Sequence, residues 1–220
     1  MTPLLWELVA GGVGAERATW LLHGLVIHLS LVADGDPARV PRAVLAQALG
    51  VLLLDDLLAR VPSGAAYVGE KVARGERVFL DHGAVRTVAG VSCGSLPPGQ
   101  ESVTRVLSAL GYVERETYHL ARLHMVGRSW ASVDLAADLP QYFVSELDAR
   151  SFSPDFRAAA ERVLSTSRDP LRREDGPPSP SESPLSPLQL LASLAAEGGL
   201  KLDQARSLLP VMVSCFNRHH

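Results

Sequence analysis

The sequence predicts an α+β protein in which one βαβββ module is flanked by N-terminal and C-terminal helices. Three observations carry this. The first 75 residues place apolar side chains at helical spacing. From Gly75 to residue 150 the pattern changes to one strand, one amphipathic helix and three further strand-like segments, in that order. Beyond residue 150, cap and proline signals again mark helices. The expected organisation is a helical region at 1–75, the βαβββ module at 76–150 and C-terminal helices at 151–220, with a Pro/Ser-rich linker at 169–187.

In the first region, Val44, Leu45, Ala48, Leu49, Leu52 and Leu53 form a helical stripe. Asp34-Gly35-Asp36-Pro37 is a turn that separates this helix from earlier ones, Pro62-Ser63-Gly64 stops it, and Ala65–Ala73 predicts another. In the module, Arg77–Ala89 alternates and is rich in β-formers, which predicts a strand. Gln100–Leu110 carries Val103, Val106, Leu107 and Leu110 on one stripe, with Gly111 as its stop. The three later strands are expected at Tyr112–Leu120, His124–Asp134 and Gln141–Leu147. In the last region, Ser153-Pro154 opens a helix to about Ser165. Ser186-Pro187-Leu188-Gln189 is a capping box for a helix ending at Gly198-Gly199. A last helix is expected from Asp203 to about Phe216.

Composition narrows the function. Hydrophobic residues are 47% of the 220-residue chain and aromatics 5%, so a full core is expected, built mostly of Leu, Val and Ala. The net charge of −3 comes with no basic run, which argues against nucleic acid and anionic membranes as partners. Cys93 and Cys215 are far apart and in no C-x-x-C pattern, which suits idle thiols in a reducing compartment. The N-terminus lacks a basic start, so it does not read as a secretory signal. The most apolar stretch, 21–33, is too short to cross a bilayer and contains His23 and His28. A cytoplasmic location is expected.

The chemistry concentrates at Asp81-His82-Gly83-Ala84-Val85-Arg86. Alternate residues of a strand share a face, so His82, Ala84 and Arg86 point the same way, with Val78 and Leu80. Their Cα atoms would lie about 13 Å apart from His82 to Arg86, at roughly 3.3 Å per residue. That is too far for direct contact, but it suits one ligand between them. A neutral imidazole ligates iron or zinc, and a guanidinium fork matches a carboxylate. A lone histidine on a half-buried strand is also an ordinary polar residue held by its neighbours, and spacing leaves both readings open. Glu146 is the second candidate ligand: if the first and last strands aim into one concavity, it pairs with His82 as a His/carboxylate set. Otherwise it ends its strand in solvent. His119, and His124 with Arg128, are a further polar patch or a solvated sheet face. Gly11–Gly14 has no strand before it, Ser63 sits in no nucleophile elbow, and His219-His220 is a chain end.

Several segments together resemble one family: Arg60-Val61-Pro62-Ser63-Gly64 with Tyr67-Val68, Phe79 to Val88, Gly127-Arg128-Ser129-Trp130, Pro140 to Leu147, and Phe152-Ser153-Pro154. They resemble the 2-oxoadipate dioxygenase/decarboxylase family, related to the vicinal oxygen chelate superfamily, with His-Gly-Ala-x-Arg as the most specific element. The βαβββ order is the module of that superfamily. The resemblance implies a non-haem Fe(II) enzyme that uses O2 to convert 2-oxoadipate to D-2-hydroxyglutarate and CO2 in lysine breakdown. By position, His82 matches a metal-binding histidine and Arg86 the arginine that holds the substrate carboxylate. Family members draw a further histidine and a glutamate from a second, larger portion. The resemblance therefore implies a site completed by more chain or by a partner, or a non-catalytic module that keeps the fold and an anion site.

Overall fold

A computed structural model describes residues 3–172 and 185–217. Four helices lead into the structure: α1 (Leu4–Val13), α2 (Ala15–Gly24), the short α3 (Leu29–Val32) and, after the two-residue strand β1 (Val40–Pro41), the long α4 (Arg42–Arg60). Every residue of α4 from Val44 to Leu52 is buried, as expected of a helix apolar on all sides. It packs against α1 and, from the far end of the chain, α9 (Leu202–Asn217).

Pro62 stops α4 as expected, but it does so by opening α5 (Pro62–Ala73) at its first turn. The fixed proline φ suits that position, and the missing N–H is not needed there.

The module's strand is shorter than its sequence pattern. β2 runs from His82 to Ala89, not from Arg77. Val78 is drawn instead to the end of α2, where its N–H donates to the Gly24 carbonyl at 2.8 Å and its carbonyl accepts from Val26 at 2.9 Å. Backbone pairing with the end of α2 thus takes residues that alternate like strand. Next come α6 (Glu101–Ala109), β3 (Tyr112–Leu120), β4 (Met125–Ser132) and β5 (Gln141–Asp148), close to expectation. His124 lies outside β4, in the left-handed region at φ 52°.

The four strands form one mixed sheet in the order β2-β5-β4-β3, with β2 parallel to β5 and the other neighbours antiparallel. β2 is therefore an edge strand. The chain continues through α7 (Pro154–Leu164), α8 (Pro187–Glu197) and β6 (Gly199–Leu200), which pairs with β1. Ser153 caps α7, and Ser186 with Gln189 forms the expected capping box of α8.

Residues 173–184 of the expected linker, and His219-His220, lie outside the described residues. The linker's first residues are anchored. Asp169 is 4% exposed and takes a two-point hydrogen bond from the Arg105 guanidinium at 2.8 and 2.5 Å. Burial alone would push the Asp169 carboxyl up. The Arg105 fork, the Leu171 N–H and the nearby cations outweigh it and hold the carboxyl below its usual range.

One apolar cluster joins Leu5, Leu49, Val106, Tyr142, Leu194 and Leu208, and so draws on every region of the chain. Cys93 and Cys215 are free and buried. Among the described residues, no helix is long and apolar enough to cross a membrane.

Candidate functional site

The two faces of the sheet differ. Strand register places Val85 beside Val144, Thr87 beside Glu146, and Tyr142 beside Gly83 and Trp130. This face meets the helices: Tyr142 packs on Phe216 of α9 with ring centroids 5.5 Å apart. The other face carries His82, Ala84 and Arg86 of β2, Phe143 and Ser145 of β5, Gly127 and Ser129 of β4, and Glu116 and Tyr118 of β3. Of these, His82, Ala84, Arg86, Glu116 and Tyr118 are exposed. His82 and Arg86 therefore share the open face, as strand periodicity requires.

His82 is steadied from its own backbone neighbour. The Asp81 carboxylate lies 3.0 Å from its Nδ1 and accepts its backbone N–H at 2.8 Å. The hydrogen bond from His82, against a smaller opposing effect of desolvation, holds the Asp81 carboxyl below its usual range. A proton on Nδ1, facing this carboxylate, would leave the Nε2 lone pair free to meet a ligand. The D-H dipeptide is the sequence signal for this pairing. Arg86 has no carboxylate partner among the described residues. It stands four residues along from His82, in one cross-strand row with Ser145, Gly127 and Tyr118. Phe143 covers Gly127, where a Cβ would overlap its ring, and meets Tyr118 at 5.6 Å between centroids.

Glu146 is not brought to His82. The register pairs it with Thr87, on the helix-covered face. There its carboxylate accepts the Gln100 N–H at 2.7 Å, at the N-terminus of α6, where negative charge is favoured. Gly99 makes the approach possible: its φ is +59° and a Cβ would overlap the Glu146 carboxylate. The expected His/carboxylate pair does not form, because residues of opposite parity face opposite sides of the sheet.

His124 and Arg128 do not share a face either. His124 is in a turn, against the Phe152 ring, and Arg128 lies beneath the sheet between Glu114 and Glu146 at 3.8 and 4.0 Å.

Among the described residues no group of three or more His, Cys, Asp or Glu side chains is placed to hold a metal. Asp81 is engaged by His82, and Glu146 by α6. One imidazole nitrogen remains. That donor set does not fit an Fe(II) centre, which takes two histidines and a carboxylate.

Sequence reading missed a cleft of about 260 Å³ along the free edge of β2. Its exposed lining includes His82 and Arg86. Its deeper lining includes Gly50, Leu54, Tyr142 and Phe216. No local signal marks it, since α4, β2, β5 and α9 come from distant parts of the chain.

Over its full length the chain is similar to a Ralstonia eutropha JMP134 protein assigned to the glyoxalase superfamily, at 37% identity and a TM-score of 0.87. It spans 65% of that protein. Hydroxyglutarate synthase from Pseudomonas putida matches 83% of the chain at 18% identity and a TM-score of 0.57, over 44% of its own length. The same enzyme in complex with 2-oxoadipate matches 79% at 17% identity and a TM-score of 0.54, over 40% of its length. At these last identities the likeness is one of fold. No protein-family model and no curated protein matches the chain.

Proposed function

We propose that this chain binds small 2-oxo acids on the open face of its sheet, with Arg86 clamping a carboxylate and the His82 Nε2 meeting the other end of the ligand. The observation that carries this is the pair itself: one strand presents an imidazole fixed by Asp81 and a guanidinium without a carboxylate partner among the described residues, on the same uncovered side. A guanidinium fork suits a carboxylate by two parallel hydrogen bonds. Exposure on both residues leaves room for a ligand between them.

The finer reading is an Fe(II)-dependent dioxygenase/decarboxylase that turns 2-oxoadipate into D-2-hydroxyglutarate and CO2. The sequence resemblance supports it, as does a fold shared with a hydroxyglutarate synthase solved in complex with 2-oxoadipate. In this reading His82 is one protein ligand, and the others have to come from residues other than these. A second reading, a non-catalytic acid-binding module, is favoured by the engagement of Glu146 at α6. In both, the residues of 76–150 are the working unit and Arg86 grips the acid.

Titration calorimetry with 2-oxoadipate, with and without added Fe(II), tests the proposal. Binding that is lost in Arg86→Ala is the expected result, and unchanged binding in that variant would overturn it. Iron-dependent binding lost in His82→Ala, with 2-oxoadipate-dependent O2 uptake, selects the enzyme. Metal-independent binding without uptake selects the module.

A further inference from the structure

The cleft beside β2 has an apolar floor and a cationic rim. Its inner end is where Gly50 of α4 closes on Pro140 and Leu80: a Cβ there would stand 3.0 and 3.5 Å from their side chains. Leu53, Leu54, Leu57 and Arg60 follow along the cleft, spaced three and four residues apart as one face of a helix requires. Arg60 ends that face, about 15 Å beyond Gly50 at roughly 1.5 Å of rise per residue. β2 contributes Arg86 and His82 to the same lining. Besides His82, the charged side chains among the described lining residues are these two arginines, both exposed, and none is acidic. The chain as a whole carries a net charge of −3, so the cleft runs against its overall sign and favours anions.

Arg60 already has a neighbour. Its Nη2 donates to the Asp56 carboxylate, one turn earlier on α4, and the two side chains are 46% and 35% exposed. An exposed pair of this spacing is weak, and a guanidinium has five donors, so a ligand carboxylate can join or displace Asp56 at small cost. A 2-oxo diacid brings two carboxylates to the cleft. Arg86 takes one. At the other end a neutral imidazole offers a lone pair but no counter-charge, and a carboxylate set against the leucine floor without one is costly. Resting on the Arg86 reading, we propose that Arg60 is a specificity residue: its guanidinium holds the second carboxylate from the α4 side, so that the site selects diacids over monoacids of the same length.

Calorimetry on the 220-residue chain with 2-oxoadipate and 2-oxohexanoate, with and without Fe(II), tests this. The two acids have the same length and differ by one terminal carboxylate. The diacid should bind at least about fivefold tighter, between the worth of an exposed ion pair and that of a charge-assisted hydrogen bond. Arg60→Gln should erase this advantage and leave 2-oxohexanoate binding unchanged. Asp56→Asn breaks the same ion pair but keeps the cation, so it should keep the advantage. Both positions lie near the exposed end of α4, so neither change threatens the fold.

Equal affinities for the two acids, or a diacid advantage that survives Arg60→Gln, would overturn the inference. Loss of the advantage in Asp56→Asn as well would also overturn it, since the ion pair within α4 and not the cation would then be what matters. If Arg86→Gln weakens both acids while Arg60→Gln keeps the gap between them, Arg60 has no part in the site and the acid-binding proposal stands. If Arg86→Gln leaves both acids unchanged, the acid-binding proposal itself fails and this inference falls with it.

Discussion

The two faces of the β2-β5-β4-β3 sheet come from the same eight- and nine-residue strands, yet they have opposite characters. On the helix side, Tyr142 and Val144 are buried, Thr87 donates to the Ser145 carbonyl, and Glu146 holds the start of α6. On the open side, His82, Arg86 and Tyr118 stand exposed, and Glu116 and Tyr118 bond chiefly to each other. The difference teaches that stability and chemistry are separated by side-chain parity. Removing a group from the covered face should cost folding free energy. Removing one from the open face should cost binding.

The largest loss of stability is expected at the buried ion pair that joins α6 to the segment after α7. Arg105→Ala takes from Asp169, whose side chain is 1% exposed, its two-point partner and leaves only the more distant Arg172 at 3.7 Å. The expected loss is about 3–5 kcal/mol in urea denaturation. The same pair sets an acid limit. Because the folded Asp169 carboxyl titrates below its usual range, its contribution is complete above the unfolded value near pH 4. It should fade as pH falls through the lower folded value. Acid titration of the wild type should show this loss, and titration of Arg105→Ala should show a smaller one.

Glu146→Ala should cost about 1 kcal/mol, the usual worth of a helix N-terminal cap, and should leave acid binding untouched. Loss of binding without loss of stability would return Glu146 to the site. Phe143→Ala on the open face should cost about 0.5–1.5 kcal/mol for its ring pairing with Tyr118, together with a smaller area effect because it is only half-buried. The smallest stability effects belong to His82→Ala and Arg86→Ala, each within about 0.5 kcal/mol. If either unfolds the protein, the division between the faces is wrong.

Much of the fold was legible in local pattern. The capping box at Ser186 and the serine cap at Ser153 form as written, because the atoms involved lie within a few residues. The strands at 112–120 and 141–148 follow their alternation. The strand expected from Arg77 fails at its first half, where Val78 pairs with the backbone of Gly24 and Val26. That competition depends on a segment about 50 residues earlier in the chain, and no window around Val78 contains it.

The candidate site divides along the same line. The sequence by itself placed His82 and Arg86 on one side of a strand, because a strand's two-residue repeat is a property of its own covalent chain. Only the tertiary structure decided that this side stays open, that β2 lies at the sheet edge beside an apolar cleft, and that Glu146 faces away. Whether two strands bring chosen residues to one face depends on their relative register. That register is set by packing between distant segments, and a shift of one residue reverses it.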